Sequence, residues 1–107
     1  MNEFDNRKKA FEKKFEIDEE LKFKIASRTA KLFGLWAAEQ MGLKSGDAET
    51  YARQVVEADL DKAGHDDIIE KVENDFKAKG INIDRHRMQK EIGHFQQAAR
   101  EQIGPRN

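Results

Sequence analysis

Glycine supplies almost all the punctuation of this 107-residue chain, because its single proline is Pro105, close to the C-terminal end. Without an internal proline, long helices can run uninterrupted until a glycine stops them. Glycines that suit such stops are Gly42, Gly64, Gly80 and Gly104, and no stretch alternates apolar and polar residues clearly enough for a strand. The spacing predicts an all-α fold.

The first core helix is predicted from about Asp18 to Met41, with an aspartate N-cap and Gly42 at its C-terminal end. Its segment 31–38, KLFGLWAA, is apolar on all sides, which is typical of a helix at the centre of a bundle. Gly34 inside this segment costs ~1 kcal/mol relative to alanine. We therefore expect Gly34 to permit close approach of a neighbouring backbone or an aromatic ring.

The second and third helices are expected to flank a glycine-containing turn. The second should begin between Ser45 and Asp47 and end at Gly64. The third opens with two acidic residues, Asp66 and Asp67, which suit the positive end of a helix macrodipole, and should end at Gly80. The residues predicted to face the core on these two helices are Ala48, Tyr51, Ala52, Val55, Val56, Leu60, Ile68, Ile69, Val72 and Phe76.

The fourth helix has the most regular apolar spacing. It should run from about Asp84 to Gly104, and its inward-facing residues are Met88, Ile92, Phe95 and Ala99. Connections of about two to five residues between the predicted helices favour antiparallel neighbours. We therefore predict a four-helix bundle domain over residues 18–107.

The first 17 residues, MNEFDNRKKAFEKKFEI, form a separate arm. In a helix, Phe4, Phe11 and Phe15 fall on one narrow stripe, because positions i, i+7 and i+11 come nearly into register. Basic side chains surround that stripe at Arg7, Lys8, Lys9, Lys13 and Lys14. Such a segment is typical of a helical ligand for an apolar groove on another protein.

The arm has three possible arrangements in the free protein. An isolated helix of this length is marginal in water, so the arm is predicted to be mobile and helical only conditionally. Alternatively, its aromatic stripe folds back onto the bundle. Asp18 is the expected hinge, but Leu21 stands where a capping box needs Glu or Gln, so one continuous helix is the third arrangement.

Composition narrows the function. Lys plus Arg (20) and Asp plus Glu (21) nearly cancel, which argues against non-specific nucleic-acid binding. The chain has no cysteine, so zinc-thiolate sites and cysteine nucleophiles are excluded. We find no apolar run long enough for a signal peptide or a membrane span, and no catalytic motif. These features predict a cytoplasmic protein that does not insert into membranes and is not an enzyme.

The segment 59–70 imitates an EF-hand calcium loop. Asp59, Asp61, Gly64, Asp67 and Glu70 occupy positions one, three, six, nine and twelve of the pattern. The pattern fails at position five, which is alanine, and at position eight, which is aspartate rather than apolar. The alternative interpretation makes the first two aspartates solvated residues near a helix end.

Histidines and one basic cluster complete the candidates. His65 lies in a turn, and His86 and His94 are too far apart on one helix for a zinc pair, so we interpret all three as surface or rim residues. The cluster Arg85-His86-Arg87 could contact an anion, but a basic triplet at a helix start is more often simply exposed. No metal or other cofactor is therefore predicted.

A series of short motifs runs through most of the chain. Its members are Phe4-Asp5, Arg7, Ala10-Phe11-Glu12, Lys14, Phe15, Asp18, Leu21, Phe23-Lys24, Arg28, Lys31-Leu32, Gly34-Leu35-Trp36-Ala37-Ala38, Tyr51-Ala52, Val55-Val56, Ala58-Asp59, Ala63-Gly64-His65 and Asp75-Phe76. In this series the chain resembles the zeta subunit of alphaproteobacterial F-type ATP synthases. The motifs are specific together although each is short, and the fourth helix matches mainly in its apolar rhythm.

The resemblance implies a four-helix inhibitor of ATP hydrolysis. In that family the N-terminal segment becomes helical on binding and wedges into a catalytic α/β subunit interface near the rotor. The implied partners are the catalytic α and β subunits and the rotor subunits, reached from the cytoplasmic face by a monomer. The implied partner-binding residues are Phe4, Asp5, Arg7, Lys8, Phe11, Glu12, Lys14 and Phe15.

Within this set, we expect Phe11 and Phe15 to be the main anchors and Phe4 to lie deeper in the cleft. Arg7 and Lys14 should meet acidic groups or carbonyl oxygens of the partner. Two alternative functions stay open: a calcium-responsive helical module, and an adaptor that self-associates through the same aromatic arm.

Overall fold

The protein is a bundle of four helices. The structure, a computed structural model, describes residues 3–59 and 64–103, with side chains described from residue 19 onward. The helices are α1 (Glu3–Gln40), α2 (Ser45–Ala58), α3 (Asp66–Ala78) and α4 (Arg85–Ile103). No strand occurs in the described ranges. The predicted all-α, four-helix fold is confirmed.

Helix α1 joins the predicted arm and the first core helix into one element. Its backbone continues through Asp18 without interruption, so the continuous arrangement is the one observed. It ends at Gly42, as predicted, where φ is +78° and the Leu43 N–H donates to the Ala38 carbonyl at 2.9 Å. A glycine with positive φ at this position is the usual end of a helix.

The prediction that α2 continues to Gly64 is wrong, because the helix ends at Ala58. Asp59 leaves the helical conformation with φ −79° and ψ 74°, and its N–H donates to the Val56 carbonyl. Asp59 and Asp61 also place negative charge at the negative end of the helix dipole, which disfavours continuation. The connections are consequently 41–44, 59–65 and 79–84, so the last two are longer than predicted.

The ends of α3 and α4 follow the sequence closely. Helix α3 stops beside Gly80, where φ is +72° and the Ile81 N–H donates to the Phe76 carbonyl at 2.8 Å. Asp84 precedes α4 and accepts a hydrogen bond from the Arg87 N–H at 2.9 Å. This is the bond of a helix N-cap, so Asp84 stabilises the first turn of α4.

The core lies between α1 and the three shorter helices. Helix α1 packs mainly on α2 and α4, and α3 completes the bundle. Ala48, Val56 and Phe95 pack partly buried against the core, whereas Leu60 is outside the described residues. The other residues predicted to face inward on α2, α3 and α4 are buried. The main buried cluster is Ala30, Phe33, Ala37, Ala38, Tyr51, Val55, Ile68, Ile69, Val72, Phe76, Met88 and Ile92.

Gly34 allows the backbones of α1 and α2 to touch. A Cβ atom built at this position would lie 2.8 Å from the Cα of Ala52 and 3.1 Å from the Cβ of Val55. Real Cβ atoms do not approach a backbone carbon that closely, so only glycine fits without movement. The predicted role of Gly34 in close helix packing is confirmed.

A polar cluster links α2 to α3 at the edge of the core. The Tyr51 hydroxyl donates to Oδ2 of Asp75 at 2.6 Å, and Lys71 Nζ donates to the same oxygen at 3.0 Å. Lys71 Nζ also lies 5.2 Å from the centre of the Tyr51 ring. Burial raises the pKa of Tyr51 well above its usual range, and the hydrogen bond to Asp75 and the negative charge of that residue raise it further.

Removal of this hydroxyl should make stability less dependent on alkaline pH. The unfolded chain releases the tyrosine proton near about pH 10, whereas the folded chain keeps it. The contribution of Tyr51 to stability is therefore fully present below that pH and is lost as the pH rises. Tyr51→Phe should cost about 1–2 kcal/mol at neutral pH. Urea unfolding of both proteins should show this difference shrinking above about pH 10, and a constant difference would contradict it.

Candidate partner-binding site

All eight residues predicted to bind a partner lie on the N-terminal half of α1. The side chains of Phe4, Asp5, Arg7, Lys8, Phe11, Glu12, Lys14 and Phe15 are outside the described residues, so their predicted contacts stay predictions. Their backbone is helical within Glu3–Gln40. The helix therefore brings all eight into one segment about 17 Å long, given ~1.5 Å per residue.

Helix α1 is much longer than the bundle that surrounds it. Its 38 residues span ~57 Å at 1.5 Å per residue, whereas the molecule is only 24 Å and 20 Å wide across its shorter axes. Thr29 and Ala30 are the first fully buried residues along its described side chains. The other helices thus enclose only the C-terminal part of α1.

Helical register relates the arm to the core. Phe33 is fully buried, and Phe15 precedes it by 18 residues in the same helix. Because five turns of 3.6 residues make 18, the two positions share one side of α1. Phe11 has the same relation to buried Thr29. The stripe that faces the core within the bundle therefore continues along the arm.

The sequence analysis missed Phe23 as a surface residue. Phe23 is 55% exposed and is the one large apolar side chain that is exposed within residues 19–59 and 64–103. It precedes buried Ala30 by seven residues, so both lie on nearly the same side of α1. Its position between Lys22 and Lys24, seven residues before the apolar core segment, is the signal that could have identified it.

The basic cluster at the start of α4 is exposed, as the simpler interpretation predicted. Two of its side chains form surface ion pairs: Arg85 with Glu73 at 3.1 Å and Arg87 with Glu91 at 3.0 Å. Exposed pairs of this kind contribute little to stability. They do, however, occupy both guanidinium groups, so this cluster is a poor candidate for binding an anion.

The calcium-like segment differs from both interpretations. Helices flank it, with Asp66 and Asp67 in the first turn of α3, but Asp61 and Ala63 lie outside the described residues. The expectation that Asp59 is solvated is wrong, because it is only 2% exposed. Asp59 follows buried Val55 by four residues and so continues the buried side of α2.

Metal binding and membrane insertion were also compared with the described geometry. Within residues 19–59 and 64–103, no three acidic or histidine side chains come together in a way that could hold a metal ion. His86 and His94 are exposed and His65 is half-buried, in agreement with surface or rim positions. Among the described helices, none has an apolar stretch sufficient to cross a membrane.

The fold and the arm together define a small all-α protein whose longest helix extends beyond its own core. The model of the family ATPase inhibitor subunit zeta matches residues 1–102. The chain therefore belongs to the ATPase inhibitor subunit zeta family, which confirms the resemblance seen in its motifs. No curated protein matches the chain significantly. Membership of an inhibitor-subunit family indicates a regulatory role and an interaction with ATP synthase subunits.

Proposed function

We propose that this protein inhibits ATP hydrolysis by an F-type ATP synthase through insertion of its N-terminal helix at a catalytic α/β subunit interface near the rotor. The partners are the catalytic α and β subunits and the rotor subunits, on the cytoplasmic face of the enzyme. The observation that carries the proposal is α1, a helix that is enclosed by the bundle at one end only.

The register of α1 supports an apolar partner groove. Phe11 and Phe15 occupy the side of the helix that the bundle buries at Thr29 and Phe33. A partner that covers the arm would therefore extend the core of the bundle along the same stripe. Phe11 and Phe15 are the anchors in this proposal, and Phe4 reaches deepest.

Charge around the stripe supplies the second component. The segment 1–17 carries Arg7, Lys8, Lys9, Lys13 and Lys14 beside only a few acidic residues. In the proposal, Arg7 and Lys14 meet carboxylates or carbonyl oxygens at the edge of the groove, with Asp5, Lys8 and Glu12 in polar contacts at the rim. Rim charges of this kind mainly increase the association rate and the specificity.

A mobile arm would make the inhibition reversible. An isolated 17-residue helix is marginal in water, so ordering it on the partner uses part of the binding free energy. The bundle would then act as a folded body that fixes one end of the arm and prevents it from passing through the cleft.

The direct test is a titration of the purified catalytic sector with the intact protein while ATP hydrolysis is measured. We expect hydrolysis to fall as the molar ratio rises and to reach a plateau at saturation. Binding without any loss of hydrolysis would contradict the proposal and favour the adaptor alternative. Light scattering of the free protein over the same concentrations would show whether self-association contributes.

A further inference from the structure

A groove of about 570 Å³ opens where α1 leaves the bundle. It lies between the N-terminal part of the described side chains of α1, the connection before α3 and the C-terminal part of α4. The lining residues that matter for the argument are Glu19, Lys22, Phe23, His65, Gln96 and Arg100. None of them belongs to the arm.

Phe23 makes this groove attractive to an apolar partner. Its side chain is 55% exposed although it lies on the side of α1 that the bundle buries at Ala30. Half-buried Ile25 and Ala26 add apolar surface to the same groove. Large aromatic side chains that are partly exposed in a groove are typical anchors of protein interfaces.

The charges of the groove favour an acidic partner. Lys22 and Arg100 bring two positive charges against the single negative charge of Glu19. Lys22 lies 3.8 Å from Glu19, and both side chains are mostly exposed, so this pair is weak. Arg100 forms no ion pair within the described part of the chain and remains available to a carboxylate.

The groove is also continuous with the arm. Phe23 follows Phe15 by eight residues in one uninterrupted helix, which places it ~12 Å further along the axis. Glu19, at the near edge of the groove, is only ~6 Å beyond Phe15. A protein that covers the arm as far as Phe15 therefore reaches the groove without a change of direction.

We propose that this groove docks an acidic and apolar surface segment of the same catalytic sector that the arm enters. The inference rests on the proposed function and adds a second contact to it. An apolar side chain of the partner packs on Phe23, while a partner carboxylate pairs with Arg100. The groove would thus hold the bundle against the enzyme and slow dissociation of the arm.

The test compares full-length variants in the hydrolysis titration and in direct binding to the purified catalytic sector. Phe23→Ala should raise the half-inhibitory concentration about tenfold, through faster dissociation. Arg100→Glu should have a similar effect that weakens at high salt. Lys90→Glu is the matched control, since Lys90 is exposed on α4 and does not line the groove. All variants should keep the helical content of the unaltered protein.

Three outcomes would overturn the inference. Unchanged inhibition and dissociation in both groove variants would show that the groove is not used, while the proposed function would stand. A concentration-dependent dimer that Phe23→Ala abolishes, with inhibition unchanged, would assign the groove to a second copy of the chain. Absence of both binding and inhibition by the unaltered protein would overturn the proposed function and the docking role together.

Discussion

Phe11→Glu should abolish inhibition of ATP hydrolysis while leaving the bundle folded. Residue 11 lies on the stripe of α1 that the bundle buries 18 residues later at Thr29. A carboxylate at this position would have to leave water for an apolar groove, at a cost of several kcal/mol. A loss of about 3 kcal/mol would weaken binding more than a hundredfold.

The bundle should not be affected, because its first fully buried residues on α1 begin at Thr29. Circular dichroism and urea unfolding of Phe11→Glu should therefore match the unaltered protein. Lys9→Glu is a suitable control, since it changes the charge of the arm at a position outside the aromatic stripe. Unfolding of the bundle in Phe11→Glu would sink the assignment, because the aromatic stripe would then belong to the core.

Gly34→Ala should destabilise the bundle even though alanine is the better helix former. The added Cβ would lie 2.8 Å from the Cα of Ala52, and a backbone atom cannot rotate away as a side chain can. Overpacking of this kind costs about 1–3 kcal/mol or more. It outweighs the gain of ~1 kcal/mol in helix propensity.

Gly93→Ala provides a control with the opposite sign. Gly93 lies inside α4 with nothing within 4 Å of its built Cβ, so alanine there should stabilise by about 0.5–1 kcal/mol. Urea unfolding of the two variants should show midpoints displaced in opposite directions. A Gly34→Ala protein at least as stable as the unaltered one would contradict the close packing of α1 on α2.

The ends of α1 and α3 could be predicted because a local signal determines each. Gly42 and Gly80 adopt positive φ, a conformation that glycine accepts at no steric cost, so the helix ends lie beside them. The apolar spacing of α3 likewise predicted its buried side, from Ile68 to Phe76, without error. In these segments local preference and tertiary packing agree.

The end of α2 was misjudged because its nearest glycine is not the residue that stops it. Gly64 has the right type, but α2 ends beside Asp59, whose side chain is buried in the folded chain. Burial of a carboxylate depends on tertiary neighbours, which spacing along the chain does not report. Its four-residue distance from Val55 was the one available indication.

The site was predictable only in part for a similar reason. The aromatic stripe of the arm is local in sequence and therefore visible in it. The groove around Phe23 instead requires α4 and the connection before α3 to meet α1, so Arg100 and His65 join it only through the fold. A residue that is exposed because its neighbours end cannot be recognised from its own apolar character.

The account depends most on the claim that the arm is the effector. The decisive measurement is ATP hydrolysis by the purified catalytic sector, titrated with the intact protein and with a form that lacks residues 1–17. We predict inhibition by the intact protein alone, with the shortened form still helical and cooperatively folded. Equal inhibition by both forms, or by neither, would contradict the account and move the search for function to the bundle.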